Sequence, residues 1–354
     1  MLNGKIVDLG NGFGVYPQCV NEKIVMDENL IDLPERYIWE VNHKTEVFKK
    51  TLLKVKKNIS TFLHVPEGYV VHLFCGKARQ NFVMVPFNFY DGESCPVYVK
   101  SGKWSSMAID DARSLVPIDV VDYKKIDVSY INSLRLKKYS YLHYCSNETV
   151  DGIQLNDLFL GVKKRVVDMS SDFLSQKINF KKLLLGYAHT TKSLGVSGIC
   201  VAIYDPSILN ADRKVPSNLQ YPYQQDVNLY EHIPYVLLRI IDLMLEWYID
   251  KFGSIRILDD RNRRRIVPLL RVLNEFEVHQ RSCLCSNSNV TVVFQLKCLD
   301  QKAGLLIQLK REGFVGVEDD MHSPMVRFHF KNTATCDDVE RLSQLVYHYL
   351  HKVL

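Results

Sequence analysis

The sequence lacks a long uninterrupted apolar run, and its most apolar helical stretch, Ile233 to Ile249, is broken by Arg239, Asp242 and Glu246. A bilayer crossing needs about 20 predominantly apolar residues, so no membrane span is read here. The start, MLNGKIVDLG, lacks a basic stretch followed by an apolar one, and no secretory signal is expected. Charge of one sign is not in great excess: 45 Lys+Arg against 40 Asp+Glu leave a net +5. That balance favours anionic small substrates but falls short of a nucleic-acid footprint. The 9 cysteines are odd in number and sit mostly inside apolar runs, and Cys283-Leu-Cys285 is the only close pair. Such usage fits a reducing compartment, and without a second pair at metal-binding spacing no metal site is expected. Internal repeats and low-complexity segments are missing too. What remains is the profile of an ordinary globular protein, 47% apolar and 24% charged, expected to be cytoplasmic.

A chain of 354 residues exceeds the usual size of one domain, so a large and a smaller domain are expected, 1–255 and 256–354. Short β-branched or aromatic runs alternate with helical patterns from about residue 45 to 250. Strands are expected at Tyr69–Cys75, Pro96–Lys100, Tyr139–Cys145, Arg165–Asp168, Leu183–Gly186 and Gly198–Tyr204, with helices such as Glu46–Thr61 and Asn81–Phe89 between them. This alternation predicts an α/β fold: a largely parallel sheet covered on both faces by helices, binding ligands at the carboxyl ends of its strands. A long helix, Tyr235–Lys251, and a helical stretch, Arg261–Phe276, lead out of it. The basic run Asp260-Arg-Asn-Arg-Arg-Arg265 reads as a solvated helix start, since it has no interleaved aromatics and no second basic patch. Val290–Lys297, Asp300–Glu312, Met325–Phe330 and a final helix from Cys336 predict a small α+β domain.

Four features fall at or near expected strand ends, and one cofactor, pyridoxal 5'-phosphate, explains them together. Lys192 lies in a loop of small and hydroxyl-bearing residues, where an amine can form an imine with an aldehyde. Asp168 ends its strand with a carboxylate suited to a pyridinium nitrogen. Trp104 offers a flat face for ring stacking, and Asn147-Glu-Thr149 supplies a hydroxyl and an amide for ring or phosphate oxygens. Taken singly, a loop lysine is usually surface and a strand-end aspartate is often a helix cap.

Three segments, Tyr144-Cys-Ser-Asn-Glu-Thr-Val-Asp-Gly152, Val167-Asp-Met-Ser-Ser-Asp-Phe-Leu-Ser175 and Tyr187-Ala-His-Thr-Thr-Lys-Ser-Leu-Gly195, resemble the phosphoserine aminotransferase family in order and approximate spacing. The likeness extends to Trp39-Glu-Val-Asn-His43, Arg79-Gln-Asn-Phe82, Val85-Pro-Phe-Asn88 and Ser101-Gly-Lys-Trp104. The resemblance implies a fold-type I aminotransferase with a mainly parallel seven-stranded sheet, and a homodimer with active sites at the subunit interface. It implies amino transfer between O-phospho-L-serine and 2-oxoglutarate, giving 3-phosphohydroxypyruvate and glutamate in serine biosynthesis. Whether the phosphohydroxythreonine of pyridoxine synthesis is a second substrate is left open. Carried over by position, Lys192 is the Schiff-base lysine, Asp168 the partner of the pyridine nitrogen, Trp104 the stacking ring and Thr149 the partner of the ring hydroxyl. Ala78 and Arg79 hold the phosphate through backbone donors.

Several positions depart from the family pattern. The phosphate loop reads Gly76-Lys-Ala-Arg-Gln-Asn81, with fewer glycines than the family's Gly-Gly-Gly-Arg-Gly-Gln. Thr191 stands where the family has a phosphate-binding glutamine. The Asn-Thr pair that reaches the phosphate from the other subunit aligns with Glu231-His232, which puts a carboxylate beside an anion. Among substrate contacts, the family's His-Arg becomes His43-Lys44, keeping the charge but losing the bidentate fork. Asn11 is the donor left from the family's N-terminal Ser-Ser-Gly-Pro. Arg327 matches the lone carboxylate-binding arginine, whereas the preceding His-Arg pair falls on Asp320-Met321 with His322 as a shifted substitute. Two readings follow: an active phosphoserine aminotransferase, or a catalytically impaired aminotransferase-like homodimer with a binding or structural role. The intact imine-forming Lys192 and its facing Asp168 favour the first.

Overall fold

The computed structural model describes residues 6–10, 16–26, 41–155, 158–159, 161–209, 214–222, 233–278, 286–317 and 322–354. Its centre is a seven-stranded sheet of β1 (Val70–Cys75), β2 (Val97–Lys100), β3 (Asp119–Asp122), β4 (Leu142–Cys145), β5 (Arg165–Asp168), β6 (Leu183–His189) and β7 (Ile199–Tyr204). The spatial order is β1-β7-β6-β5-β4-β2-β3, parallel throughout except for β7, which runs antiparallel to both neighbours. Strands buried on both faces read as continuous apolar runs, as in Ile199-Cys-Val-Ala-Ile-Tyr204, all buried. The sequence reading missed β3. Its residues Asp-Val-Val-Asp are only half-buried at the sheet edge, so they carry little apolar signal.

Helices pack on both faces. Glu46–Leu63 starts at Thr45, whose Oγ1 accepts the backbone N–H of Phe48 at 3.3 Å, and stops where His64 takes left-handed φ 55°. Its Phe48, Leu52, Val55, Ile59 and Phe62 repeat at helical spacing and are buried. The helix packs against Tyr235–Phe252, and Lys54 ties the pair through Asp242 at 3.0 Å and Glu246 at 2.5 Å. On the other face Ala78–Phe89 and Lys103–Arg113 contribute Phe82, Val85 and Ala108 to a second apolar cluster.

The C-terminal region has its own core, with Leu273, Val292, Phe294, Leu305, Phe328, Leu342 and Val346 among its members. It is built from the antiparallel pair Thr291–Gln295 and Met325–His329, covered by Leu299–Arg311 and Cys336–Val353. The N-terminal strand Val7–Asp8, grouped with the large domain in the sequence reading, pairs instead with Phe314–Val315, and Val7 and Leu9 are buried in this core.

The stretch Arg261–Phe276 is two helices, Ile255–Arg265 and Val267–Glu275, meeting at Ile266. Its basic run is only partly solvated: Arg263 and Arg264 are exposed, but Arg261 and Arg265 turn inward. Arg265 is 1% exposed and donates to the carbonyls of Lys331 at 2.8 Å, Ala334 at 2.9 Å and Phe330 at 3.3 Å. Arg261 donates to the carbonyls of Asn332, at 3.0 Å, and Ala334. The two arginines, one helical turn apart, clamp the loop that follows Met325–His329. Among the described residues no helix is long and apolar enough to cross a membrane.

Candidate active site

The carboxyl ends of β4, β5 and β6 release three segments that stay stitched together. The N–H of Ser146 donates to the carbonyl of Asp168 at 2.9 Å, and that of Met169 to the carbonyl of Tyr187 at 2.8 Å. After β4 the chain forms a small ladder, Asn147–Glu148 against Ile153–Gln154, which Ser286–Asn287 extends. Thr149 at its turn is buried. The Nζ of Lys192 donates to the Oγ1 of Thr149 at 2.8 Å, bringing together two of the anticipated residues that are 43 apart in sequence. From there polar contacts run on. Thr149 Oγ1 donates to Ser171 Oγ at 3.0 Å, and Asn147 Nδ2 donates to Ser171 Oγ at 2.6 Å and Thr291 Oγ1 at 3.4 Å. Thr291 Oγ1 lies 3.0 Å from His329 Nδ1, on the strand that carries Arg327.

Burial pulls both members of the central pair toward their neutral forms, against their mutual attraction. Burial lowers the Lys192 ammonium to about 8, against the opposing pull of Asp168 and Asp172. Burial likewise raises Asp168 to about 6, although the N–H of Ser170, 2.9 Å from its Oδ1, and the charge of Lys192 act downward. A second carboxyl, Asp172, is raised by burial to about 7 while it accepts from Ser146 Oγ at 2.5 Å and from Gln176 Nε2. Arg327 is half-buried and near enough to act on the charge of Lys192, and burial lowers it against the opposing charge of Asp151. An amine that loses its proton near pH 8 can attack a carbonyl and move a proton at neighbouring carbon.

At a second corner, β1 leads through Gly76 into the helix Ala78–Phe89. Its N-cap Lys77 makes no side-chain cap, so the first-turn N–H groups have no side-chain acceptor. Helix N-termini in this state attract anions. The Arg79 side chain turns away and grips Asp111 through Nε at 2.8 Å and Nη2 at 2.9 Å, leaving only its backbone to this corner. Thr191 contacts His189 Nδ1. Trp104 opens the helix Lys103–Arg113, where Glu148 accepts the N–H of Trp104 at 3.2 Å and of Ser105 at 2.7 Å. The indole stays 40% exposed.

His43 and Lys44 occupy the turn before Glu46–Leu63, with Lys44 exposed and its N–H on Asn42 Oδ1 at 2.9 Å. Asn11, Glu231, His232 and the pair Asp320-Met321 lie outside the described residues. The sequence reading assigned no role to Ser146, Ser171, Asp172, Thr291 or His329. Ser146, Ser171 and Asp172 were legible as polar residues inside two of the quoted segments, but Thr291 and His329 reach the site only through tertiary contacts.

The family described as aminotransferase class-V matches residues 17–217. The chain belongs to this family of enzymes, and its fold is that of fold-type I aminotransferases. Within the family its similarity is to phosphoserine aminotransferases. That of Buchnera aphidicola subsp. Cinara cedri is 27% identical over 325 residues, 89% of this chain and 90% of the relative. That of Buchnera aphidicola subsp. Baizongia pistaciae is 30% identical over 280 residues, 74% of each. Among solved structures, PLP-bound phosphoserine aminotransferase from Trichomonas vaginalis superposes with TM-score 0.83 at 21% identity, covering 96% of this chain and 99% of that one.

Proposed function

We propose that this chain is a pyridoxal-phosphate-dependent phosphoserine aminotransferase, moving an amino group between O-phospho-L-serine and 2-oxoglutarate. The observation that carries the reading is the contact of Lys192 with Thr149 beside the buried Asp168, in a chain similar over most of its length to phosphoserine aminotransferases. The residues present fit the cofactor. Asp168 would face the pyridine nitrogen, Thr149 the ring hydroxyl, Trp104 a ring face, and the N–H groups of Ala78 and Arg79 the phosphate. When bound, pyridoxal phosphate supplies a carbonyl that carries the amino group and an electron sink for the bond at the substrate's Cα.

The remaining work falls to the protein's own groups. A carboxylate at Asp168 would keep the ring nitrogen protonated. As a neutral amine Lys192 would take the substrate's Cα proton and carry it through a 1,3-transfer, work suited to a group that titrates near neutrality. Arg327 binds the substrate carboxylate, while His43 and Lys44 serve the substrate's anionic groups, in sites shared between two subunits of a homodimer. Residues 1–255 form the cofactor-binding domain and 256–354 the smaller one, with Val7–Asp8 contributed across. No observation favours the catalytically impaired alternative.

The test is direct. Purified protein supplied with pyridoxal phosphate should show the visible Schiff-base band, lose it on Lys192→Ala, and convert phosphoserine with 2-oxoglutarate. A protein that takes up no cofactor sinks the reading, and one that takes it up but leaves phosphoserine untouched redirects it to another amino donor.

A further inference from the structure

Resting on the pyridoxal phosphate reading, a chain-specific device appears where the phosphate would sit. His189 ends β6, and three observations fix its ring. The N–H of Gly198 points at Nε2, 3.2 Å away. Nδ1 meets the hydroxyl of Thr191. The backbone of Gly76 and the charge of Lys77, at the entry to the helix Ala78–Phe89, also act on the ring. Burial and Lys77 oppose a charge on the imidazole and Gly76 favours one; burial is the largest effect, so the ring is held neutral.

A neutral imidazole carries one N–H. The Gly198 N–H aims at Nε2, the arrangement that suits the tautomer with its proton on Nδ1, and burial outweighs the pull of the Gly76 backbone toward a charged ring. In that tautomer Nδ1–H donates to Thr191 Oγ1. An hydroxyl whose oxygen accepts from one side keeps its own proton for another acceptor. We infer that His189 is a positioning residue: it orients the Thr191 hydroxyl as a donor to the cofactor's phosphate, beside the uncapped N–H groups of Ala78 and Arg79. A short threonine with a histidine brace thereby supplies, at the position before Lys192, a donor that a longer amide side chain could supply alone.

The experiment is a titration of the apoprotein with pyridoxal phosphate, and in parallel with pyridoxal, which lacks the phosphate, followed by quenching of tryptophan fluorescence. Thr191→Val and His189→Gln, which removes the donor at the Nδ1 position, should each weaken pyridoxal phosphate binding about tenfold. Thr191→Ser, and His189→Asn, whose amide nitrogen takes the place of Nδ1, should stay within about twofold of the wild type. The double variant Thr191→Val/His189→Gln should be no weaker than the worse single, since the two act as a unit. Pyridoxal binding should be equal across the set. Wild-type protein that binds no pyridoxal phosphate overturns the cofactor reading and this inference with it. Binding by the wild type together with unchanged affinity in Thr191→Val, or equal losses for pyridoxal, overturns this inference alone and leaves the cofactor reading standing.

Discussion

Two buried cations invite comparison. Lys192 and Arg265 are both displaced downward by burial, to about 8 and about 9, yet their surroundings differ in kind. Arg265 is met by three backbone carbonyls, which cannot change charge and which hold the 330–334 loop in one place. Lys192 is met by an hydroxyl and by the fields of Asp168 and Asp172, carboxyls that are themselves pushed up toward neutrality. A cation against fixed dipoles is structure. A cation against groups that titrate in the same range is chemistry waiting for a ligand, because small changes in surroundings exchange protons among them.

The largest expected effect of breaking this contrast is on the reactive side. Lys192→Ala should lower kcat by on the order of 10^4-fold, the scale of a lost acid–base group, while the thermal midpoint stays the same or rises slightly as a buried amine is removed. Steady-state assays and thermal melts read the two arms. Arg265→Met should do the converse. The Phe330 carbonyl loses its donor, while those of Ala334 and Lys331 keep Arg261 and the Ala334 N–H, so stability should fall by about 2 to 3 kcal/mol, read as a drop in the urea midpoint. Chemistry in the protein that remains folded should persist, since the hydrogen bonds of Arg265 go to the loop beyond Arg327 and His329.

Asp168→Asn tests whether the reactive cluster is kept at a cost to stability. Its folded carboxyl titrates at about 6 against an ordinary 3.8, so the folded state binds the proton more tightly across that window. Stability from this group is therefore full below about pH 4 and is lost as pH rises through 6. An asparagine has no such loss. The apoprotein should gain about 2 to 3 kcal/mol at pH 8, shrinking to about half by pH 5, measured by chemical denaturation at both values. The same variant should lose most of its aminotransferase activity. A gain independent of pH would show that packing, not charge burial, sets the penalty.

Legibility from sequence follows the same division. β1, β2 and β4 to β7 were visible because strands buried on both faces leave unbroken apolar runs, and β5 was read to the residue. Lys192, Asp168 and Thr149 were visible because strand-end loops keep their motifs local. The edge strand β3 was not, since two acids flank its two valines and half its surface is wet. Arg261 and Arg265 were misread as solvated because their partners are carbonyls 65 or more residues away, as between Arg265 and Phe330, and a carbonyl has no residue type to recognise. The pairing of Val7–Asp8 with Phe314–Val315 was hidden for the same reason: two-residue strands at opposite ends of the chain carry no pattern.

The smallest expected effect decides how the phosphate corner works. Arg79 sits at the position where the resemblance places a phosphate contact, but its guanidinium is committed to Asp111 in an exposed bidentate pair. If the corner holds the phosphate by backbone N–H groups and the helix dipole, Arg79→Ala leaves those donors in place, and alanine suits a first helical turn. Affinity for pyridoxal phosphate should then stay within about threefold, since an exposed ion pair contributes little and is screened by salt. Arg79→Pro, at a position where a helix accepts proline, removes the N–H itself and should cost more than the alanine change. Equal losses from the two variants would mean that the side chain swings from Asp111 to the phosphate. A loss with Pro alone would place the contact in the backbone, where the departure of this loop from a glycine-rich pattern matters least, because each residue other than proline keeps its amide.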